Sequence, residues 1–207
     1  MRKNKSFILI KNKHKNRLSV NMYLCSKNIK MKKNLLLLFV PVILLLNCSA
    51  IDELTKFDLD YQTSYSIAPS TLINTPFDIQ TPDMTTESES TFENNDTRKD
   101  LIESIKLKTI KLTIDTPQDG DFNFFKEIHV YINAEDLEEV EIANAFDLED
   151  TNSKTITLEV TDQELKEFIK KDTFSLRVKT VTDETISETH DITIDTKFRV
   201  DAKILGV

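Results

Sequence analysis

From Leu54 onward, apolar and polar residues alternate with a period of two, and this pattern constrains the fold more than any other feature of the chain. The alternation is clearest in five segments, at 57–62, 128–133, 155–160, 174–179 and 192–204. Successive side chains of a strand point to opposite faces of its sheet, so these segments predict strands with one buried and one wet face. Antiparallel sheets commonly have this property. We therefore predict an all-β fold, an antiparallel β-sandwich of the immunoglobulin-like or jelly-roll-like kind.

The segment 105–114 changes phase once. Its apolar residues occupy odd positions up to Leu107 and even positions from Ile110 onward. One face of this strand can stay buried only if an extra residue enters near Lys108 and Thr109. This predicts either a β-bulge or a change of sheet at that point.

A different periodicity appears after the third strand segment. Thr161-Asp-Gln-Glu164 has the form of a capping box, and Leu165, Phe168 and Ile169 follow it at helical spacing. We therefore predict one short crossover helix near 162–171, about ten residues long, with its apolar stripe in the core.

Residues 80–100 are mostly Thr, Ser, Glu, Asn and Asp, with only Met84 and Phe92 as sizeable apolar groups. This composition predicts a long polar loop near 80–100. Two organisations are then open: strands within 54–80 pack on the same core as 101–207, or 49–100 is mostly a tether. The alternation favours the first, so we predict a single β-sandwich domain at 54–207.

Charge divides the chain into two unlike parts. Residues 1–47 contain eleven Lys and Arg and no acidic residue, whereas the other 160 residues contain 16 basic and all 35 acidic groups, a balance of −19. Such a strongly negative segment repels the phosphate backbone of a nucleic acid, so we expect no nucleic-acid partner. Residues 1–30 precede a self-sufficient signal, and we interpret them as a misassigned start or a disordered basic arm.

Residues 31–47 have the form of a secretory signal peptide. Two lysines, Lys32 and Lys33, precede the apolar run 35–46, and the small or polar residues Asn47-Cys48-Ser49 follow it. Twelve apolar residues at about 1.5 Å each cover roughly 18 Å, which is too short for a hydrocarbon core of about 30 Å. A cleaved signal is therefore predicted rather than a permanent transmembrane helix.

Leu45-Leu46-Asn47-Cys48 resembles the lipobox of bacterial lipoproteins, with Asn47 where that family usually has Gly, Ala or Ser. The resemblance implies that Cys48 is lipidated and becomes the new N-terminus, with 48–53 as lipid anchor and short tether. A diacylglycerol and an amide-linked acyl chain such as palmitate are enough for stable membrane anchoring. The whole chain resembles small β-rich lipoproteins of the Bacteroidota kind, which implies an outer-membrane address, on the periplasmic or the surface face.

Residues that carry chemistry are few. The two glycines, Gly120 and Gly206, rule out Gly-rich phosphate loops, and two cysteines rule out a Cys-rich zinc module. His129 and His190 fall on or near predicted strands, and we interpret both as exposed structural residues.

Acidic residues form two clusters. Asp115, Asp119 and Asp121 belong to a segment that first indicates a Pro/Gly turn, and the acids of 135–141 indicate a solvated surface. Calcium bound by such oxygen ligands is the open alternative.

These features predict a lipid-anchored cell-envelope protein that is not an enzyme, needs no cofactor and works as a structural or protein-binding module with an envelope protein as partner. The alternative is an envelope hydrolase that uses acidic residues, with or without calcium. An unpaired edge strand, or an exposed aromatic patch on one sheet, would favour the binding module.

Overall fold

The computed structural model describes residues 55–148 and 152–203. Along these ranges the elements are β1 (Lys56–Ile67), β2 (Pro76–Gln80), β3 (Met84–Thr85), α1 (Ser88–Asn94), a 3₁₀ turn (Lys99–Leu101), β4 (Ile102–Thr116), β5 (Phe125–Asn133), β6 (Val140–Phe146), β7 (Thr155–Thr157), β8 (Glu159–Val160), α2 (Lys166–Ile169), β9 (Thr173–Thr182) and β10 (His190–Ala202).

The strands form two antiparallel sheets. The first has four strands in the order β1-β10-β4-β7, and the second has six, in the order β2-β9-β5-β6-β8 with β3 added to β9. Both sheets turn apolar residues to one core, in which Ile110, Phe125, Phe174 and Phe198 are fully buried. The predicted all-β antiparallel sandwich is therefore confirmed.

The two sides of the sandwich differ. On one side β7 pairs with β4, β8 pairs with β6, and only Leu158 separates β7 from β8. The chain thus passes from one sheet to the other within six residues, and the Leu158 N–H donates to the Ile110 carbonyl at 3.1 Å. On the other side the four-stranded sheet ends at β1.

The predicted irregularity in β4 is a β-bulge. Thr109 lies opposite Lys197 and Leu107 lies opposite Phe198, so Lys108 is the additional residue. Leu107 and Ile110 are both buried. The bulge keeps both halves of β4 apolar toward the core, as the phase change required.

The predicted helix near 162–171 is much shorter than expected: α2 has a single turn. No capping box forms, because the Thr161 hydroxyl donates to the Glu141 carbonyl at 2.9 Å. The Glu164 carboxylate instead accepts the Ile105 N–H of β4 at 2.9 Å and the Lys166 N–H at 3.0 Å. Tertiary hydrogen bonds thus replace the local ones that would have started the helix at Thr161.

The prediction of a long polar loop at 80–100 is wrong, because this segment contains β3, α1 and the 3₁₀ turn. Two of its buried hydroxyl groups are bonded to backbone carbonyls: Thr86 donates to Lys171 at 2.6 Å and Thr97 donates to Lys203 at 2.6 Å. A buried hydroxyl with such a partner costs little, so polar composition did not mean an exposed loop. Phe92 of α1 is fully buried in the core.

Strands from 54–80 pair with strands from 101–207: β1 pairs with β10 and β2 pairs with β9. Cys48 and the predicted segments 1–30, 31–47 and 48–53 lie outside the described residues. No helix in the described ranges has the length and apolarity needed to cross a membrane.

Candidate functional site: the open edge of β1

The outer edge of β1 presents unpaired backbone groups over most of a twelve-residue strand. β1 and β10 pair without a register shift, and the Ala202 N–H donates to the Thr55 carbonyl at 3.1 Å. Hydrogen-bonded pairs alternate along an antiparallel ladder, so odd-numbered residues of β1 bond to β10 and even-numbered ones turn their N–H and C=O outward. Within 55–148 and 152–203, no strand pairs with this edge.

The side chains of the same even-numbered residues lie on the solvent face of the four-stranded sheet. Asp60, Gln62, Ser64 and Ser66 are exposed, whereas Leu59, Tyr65 and Ile67 on the odd positions are buried. Asp60 forms an ion pair with Lys197 of β10 at 2.5 Å. The edge therefore has polar side chains outside, an apolar row inside and unpaired backbone groups between them, which is the arrangement that accepts an additional strand.

A groove of about 330 Å³ lies beside the first half of β1. Residues 58–61 form one wall, and Thr85, Thr86, Glu87 and Thr91 form the other. The groove lies where the segment β3–α1 approaches β1, and Phe92 of α1 packs edge-to-face on Phe57 with ring centroids 6.3 Å apart.

Tyr61 connects the groove to the core. Its ring packs edge-to-face on Phe174 of the second sheet at 5.1 Å and on Phe198 of β10 at 5.8 Å, and its hydroxyl donates to the Thr86 carbonyl at 3.1 Å. Burial of the phenol and the nearby Glu87 carboxylate raise the pKa of Tyr61 to about 12. Tyr61 is therefore a neutral and fixed part of the groove.

A second candidate surface is the outer face of the six-stranded sheet. Arg177 of β9 forms ion pairs with Glu139 and with Asp78 of β2, and its guanidinium carbon lies 4.2 Å from the centre of the Tyr131 ring. Hydrogen bonds that the guanidinium donates to the Glu139 carboxylate lead the effects that hold the pKa of Arg177 above its ordinary value. The same contact lowers the pKa of Glu139. These groups satisfy one another, which favours a structural role for this cluster.

His129 belongs to the same face, on the polar side of β5 as predicted, but its side chain is only 20% exposed and is therefore not the exposed residue that the sequence predicted. Its Nδ1 lies 2.9 Å from Glu141, and its ring packs edge-to-face on Phe146, whose side chain is 55% exposed. Burial acts to raise the pKa of Glu141, but hydrogen bonds from His129 and Asn144 outweigh it and the pKa lies below its ordinary value.

The predicted acid cluster of the β4–β5 turn lines a cavity of about 210 Å³ at the end of the sandwich where β1 finishes. Asp119 and Asp121 line it together with Glu184, Glu188 and His190, whereas Asp115 does not. The prediction that His190 is exposed is wrong: the residue is only 7% exposed, and its Nδ1 lies 3.0 Å from the Glu188 carbonyl oxygen. In the described ranges, no three His, Cys, Asp or Glu residues are placed to hold a metal ion.

The acids of 135–141 lie in the β5–β6 turn and at the start of β6. Two of them are paired on the sheet face, Glu139 with Arg177 and Glu141 with His129. Glu135, Asp136 and Glu138 are exposed. This agrees with the solvated surface that the sequence indicated.

The groove residues were not found from the sequence. The alternation at 57–62 predicts Tyr61 on the apolar side of a strand, which is correct, but nothing in it indicates that β1 ends a sheet. Glu87 belongs to the segment interpreted as loop. It is one of several acidic residues in a polar segment, and only the structure shows that it directly precedes α1.

Comparisons with known proteins give little. No family model matches the chain, and no curated protein matches it. Nine chains of solved structures match; one is from Desmodium yellow mottle tymovirus, with 12% identity and a TM-score of 0.24 over 73% of this chain and 91% of that chain. That likeness carries no information about the function of this protein.

Proposed function

We propose that this protein is a lipid-anchored cell-envelope protein that binds another envelope protein by adding an extended segment of it to β1. The single observation that carries the binding proposal is the outer edge of β1, with which no strand of the described ranges pairs and at which the N–H and C=O groups of Gln62, Ser64 and Ser66 point outward. Main-chain hydrogen bonds supply the affinity of such strand addition, and neighbouring side-chain pockets supply its specificity.

The anchoring proposal rests on the lipobox-like sequence at 45–48. β1 begins eight residues after Cys48 in the sequence. The hydrolase alternative remains a prediction.

Lipid labelling tests the anchor. In cells grown with a labelled fatty acid, we expect the wild-type protein to take up label and the Cys48→Ala variant to take up none, because the thiol is the attachment point. Cys25→Ala is the matched control and should label like the wild type. Equal labelling of the Cys48→Ala variant, or no label in the wild type, would contradict the lipoprotein proposal.

Site-directed photocrosslinking in intact envelopes tests the edge. A crosslinking side chain at Gln62 should give one defined protein adduct, whereas the same group at Thr113, on the same face but in the central strand β4, should give none. Ser64→Pro should abolish the adduct, because its N–H points outward and the pyrrolidine ring blocks an added strand.

Stability measurements separate blocking from unfolding. Ser64→Pro removes no ladder bond to β10, whereas Thr63→Pro removes one and should lower the free energy of unfolding by about 1–3 kcal/mol more. An adduct that survives in a folded Ser64→Pro variant would refute binding at this edge.

A further inference from the structure

We infer that the segment bound at β1 carries a lysine or arginine side chain, which enters the groove beside β1 and lies between Asp60 and Glu87. This inference rests on the proposed function, since it names the chemistry of the partner at the same edge. It follows from the shape of the groove, the charges that line it and the distribution of cations around it.

The edge and the groove form one continuous path. Residues 85–91 stand beside 58–61, so the fully open stretch of β1 is 62–66, and the groove continues it toward the N-terminal end of the strand. An extended segment that pairs with Gln62, Ser64 and Ser66 therefore reaches the groove with its next residues. Its side chain there meets the groove instead of bulk solvent.

Among the residues that the structure describes, the groove is lined by three carboxylates and by no lysine or arginine. Asp58 is already paired, with Arg199 at 2.7 Å and Lys108 at 3.0 Å, whereas Asp60 pairs with one cation of the described ranges, Lys197. Glu87 has no ion pair within 4.0 Å in the described ranges. A cationic side chain between Asp60 and Glu87 would complete the charge pairing of both walls.

The Glu87 side chain does not cap α1. It occupies the residue before α1 in a left-handed conformation, with φ 47° and ψ 31°, and its side chain makes no hydrogen bond to the helix. Tyr61 also lines the groove, and an aromatic ring suits the methylene stem of a lysine or the plane of an arginine. The carboxylates and the tyrosine together match a long basic side chain.

A second copy of this chain is not the basic segment that binds at β1. Residues 48–207 have a balance of −19, so two copies repel each other. The edge that a second copy would offer, β1 itself, has Lys56 as its one basic residue and two aspartates facing the same side. The occupant is therefore a segment of a different protein, extended and basic.

Fluorescence anisotropy of the full-length protein in detergent micelles tests the inference with three nine-residue probes. Each labelled peptide alternates threonine and valine, with lysine, glutamine or glutamate at the centre. We expect the lysine peptide to bind about tenfold more tightly than the glutamine peptide and the glutamate peptide to bind most weakly. The order should hold at low salt and weaken as salt rises.

Variants assign the preference to the groove. Glu87→Gln combined with Asp60→Asn should remove the tenfold gap, while Glu89→Gln, an exposed carboxylate two residues further on that does not line this groove, should leave it unchanged. Ser64→Pro should weaken all three peptides.

The outcomes separate the two proposals. Equal binding of the three peptides, lost in Ser64→Pro, would overturn the basic side chain and support the edge. A lysine preference that persists in the double variant would also overturn the groove assignment. No binding of any peptide to the wild type would overturn the binding edge and this inference with it.

Discussion

At the scale of single residues, Glu164 connects the α2 loop to β4. Its carboxylate accepts hydrogen bonds from the Ile105 N–H at 2.9 Å and the Ser104 hydroxyl at 2.7 Å. Burial acts to raise the pKa of Glu164, but these bonds and that from Lys166 outweigh it and hold the pKa below its ordinary value. The ionised form is thus the one that the fold prefers.

We predict that Glu164→Ala lowers the free energy of unfolding by about 1–2 kcal/mol at pH 7, since the Ile105 N–H loses its acceptor. Because the pKa of Glu164 is lower in the folded state, its ionised carboxylate stabilises the fold at pH values above about 4.3, the pKa of an unfolded glutamate. This stabilisation disappears as the pH falls through the folded-state pKa. The difference from the wild type should therefore shrink below about pH 4 in urea titrations. Glu159→Ala, exposed on β8, is the control and should have little effect at either pH. A difference that grows on acidification would contradict this assignment.

At the scale of elements, the bulge in β4 shows how one residue sets the orientation of a whole strand. Lys108 lets Leu107 and Ile110 both face the core, although their spacing of three residues would place them on opposite faces of a regular strand. The sequence was sufficient to predict a bulge or a change of sheet here, because the apolar residues in each half of β4 mark the face that is buried; the structure shows the bulge.

Deletion of Lys108 should abolish cooperative folding. Without the extra residue, either Ile105 and Leu107 turn to solvent or the pairing with β10 is lost, and each exposed side chain costs about 1.5–3 kcal/mol against a total stability of about 5–15 kcal/mol. Lys108→Ala loses only an exposed ion pair with Asp58, worth about 1 kcal/mol or less, and should fold. Circular dichroism during urea denaturation distinguishes the two, and a cooperative transition in the deletion variant would be the contrary result.

For the segments 80–100 and 161–171, the predictions from sequence were wrong. Local composition and capping signals compete there with tertiary hydrogen bonds. Thr86 bonds to a carbonyl 85 positions away, and Thr161 bonds to one 20 positions away. Such partners cannot be read from a window of neighbouring residues, so the pattern gave the wrong length for α2 and the wrong structure for α1 and β3.

At the scale of the whole molecule, the last strand is central. β10 lies between β1 and β4, so the four-stranded sheet cannot form until the C-terminal strand is present. Partners in the β1–β10 pair are separated by more than a hundred residues, which makes the fold one of high contact order.

A chain that ends at Glu188 should therefore have no cooperative thermal transition, because β1 and β4 both lose their partner. The matched control ends at Lys203 and keeps both terminal hydrogen bonds: Lys203 N–H to Leu101 at 2.9 Å and the Thr97 hydroxyl to the Lys203 carbonyl. It should unfold cooperatively. A cooperative transition in the shorter chain would refute the central role of β10.

The sequence by itself determined the class of the fold, the inward face of the strand segments with clear alternation and an irregularity near Lys108, since these follow from the alternation of side chains along a strand. It also led to the lipoprotein proposal through residues 45–48. Only the tertiary structure decided that β1 ends a sheet and that Glu87 comes to lie beside Tyr61, 26 positions earlier in the chain. The reason is physical: the face a side chain occupies is a local property of the backbone, whereas the neighbour of a strand is set by pairing between distant parts of the chain.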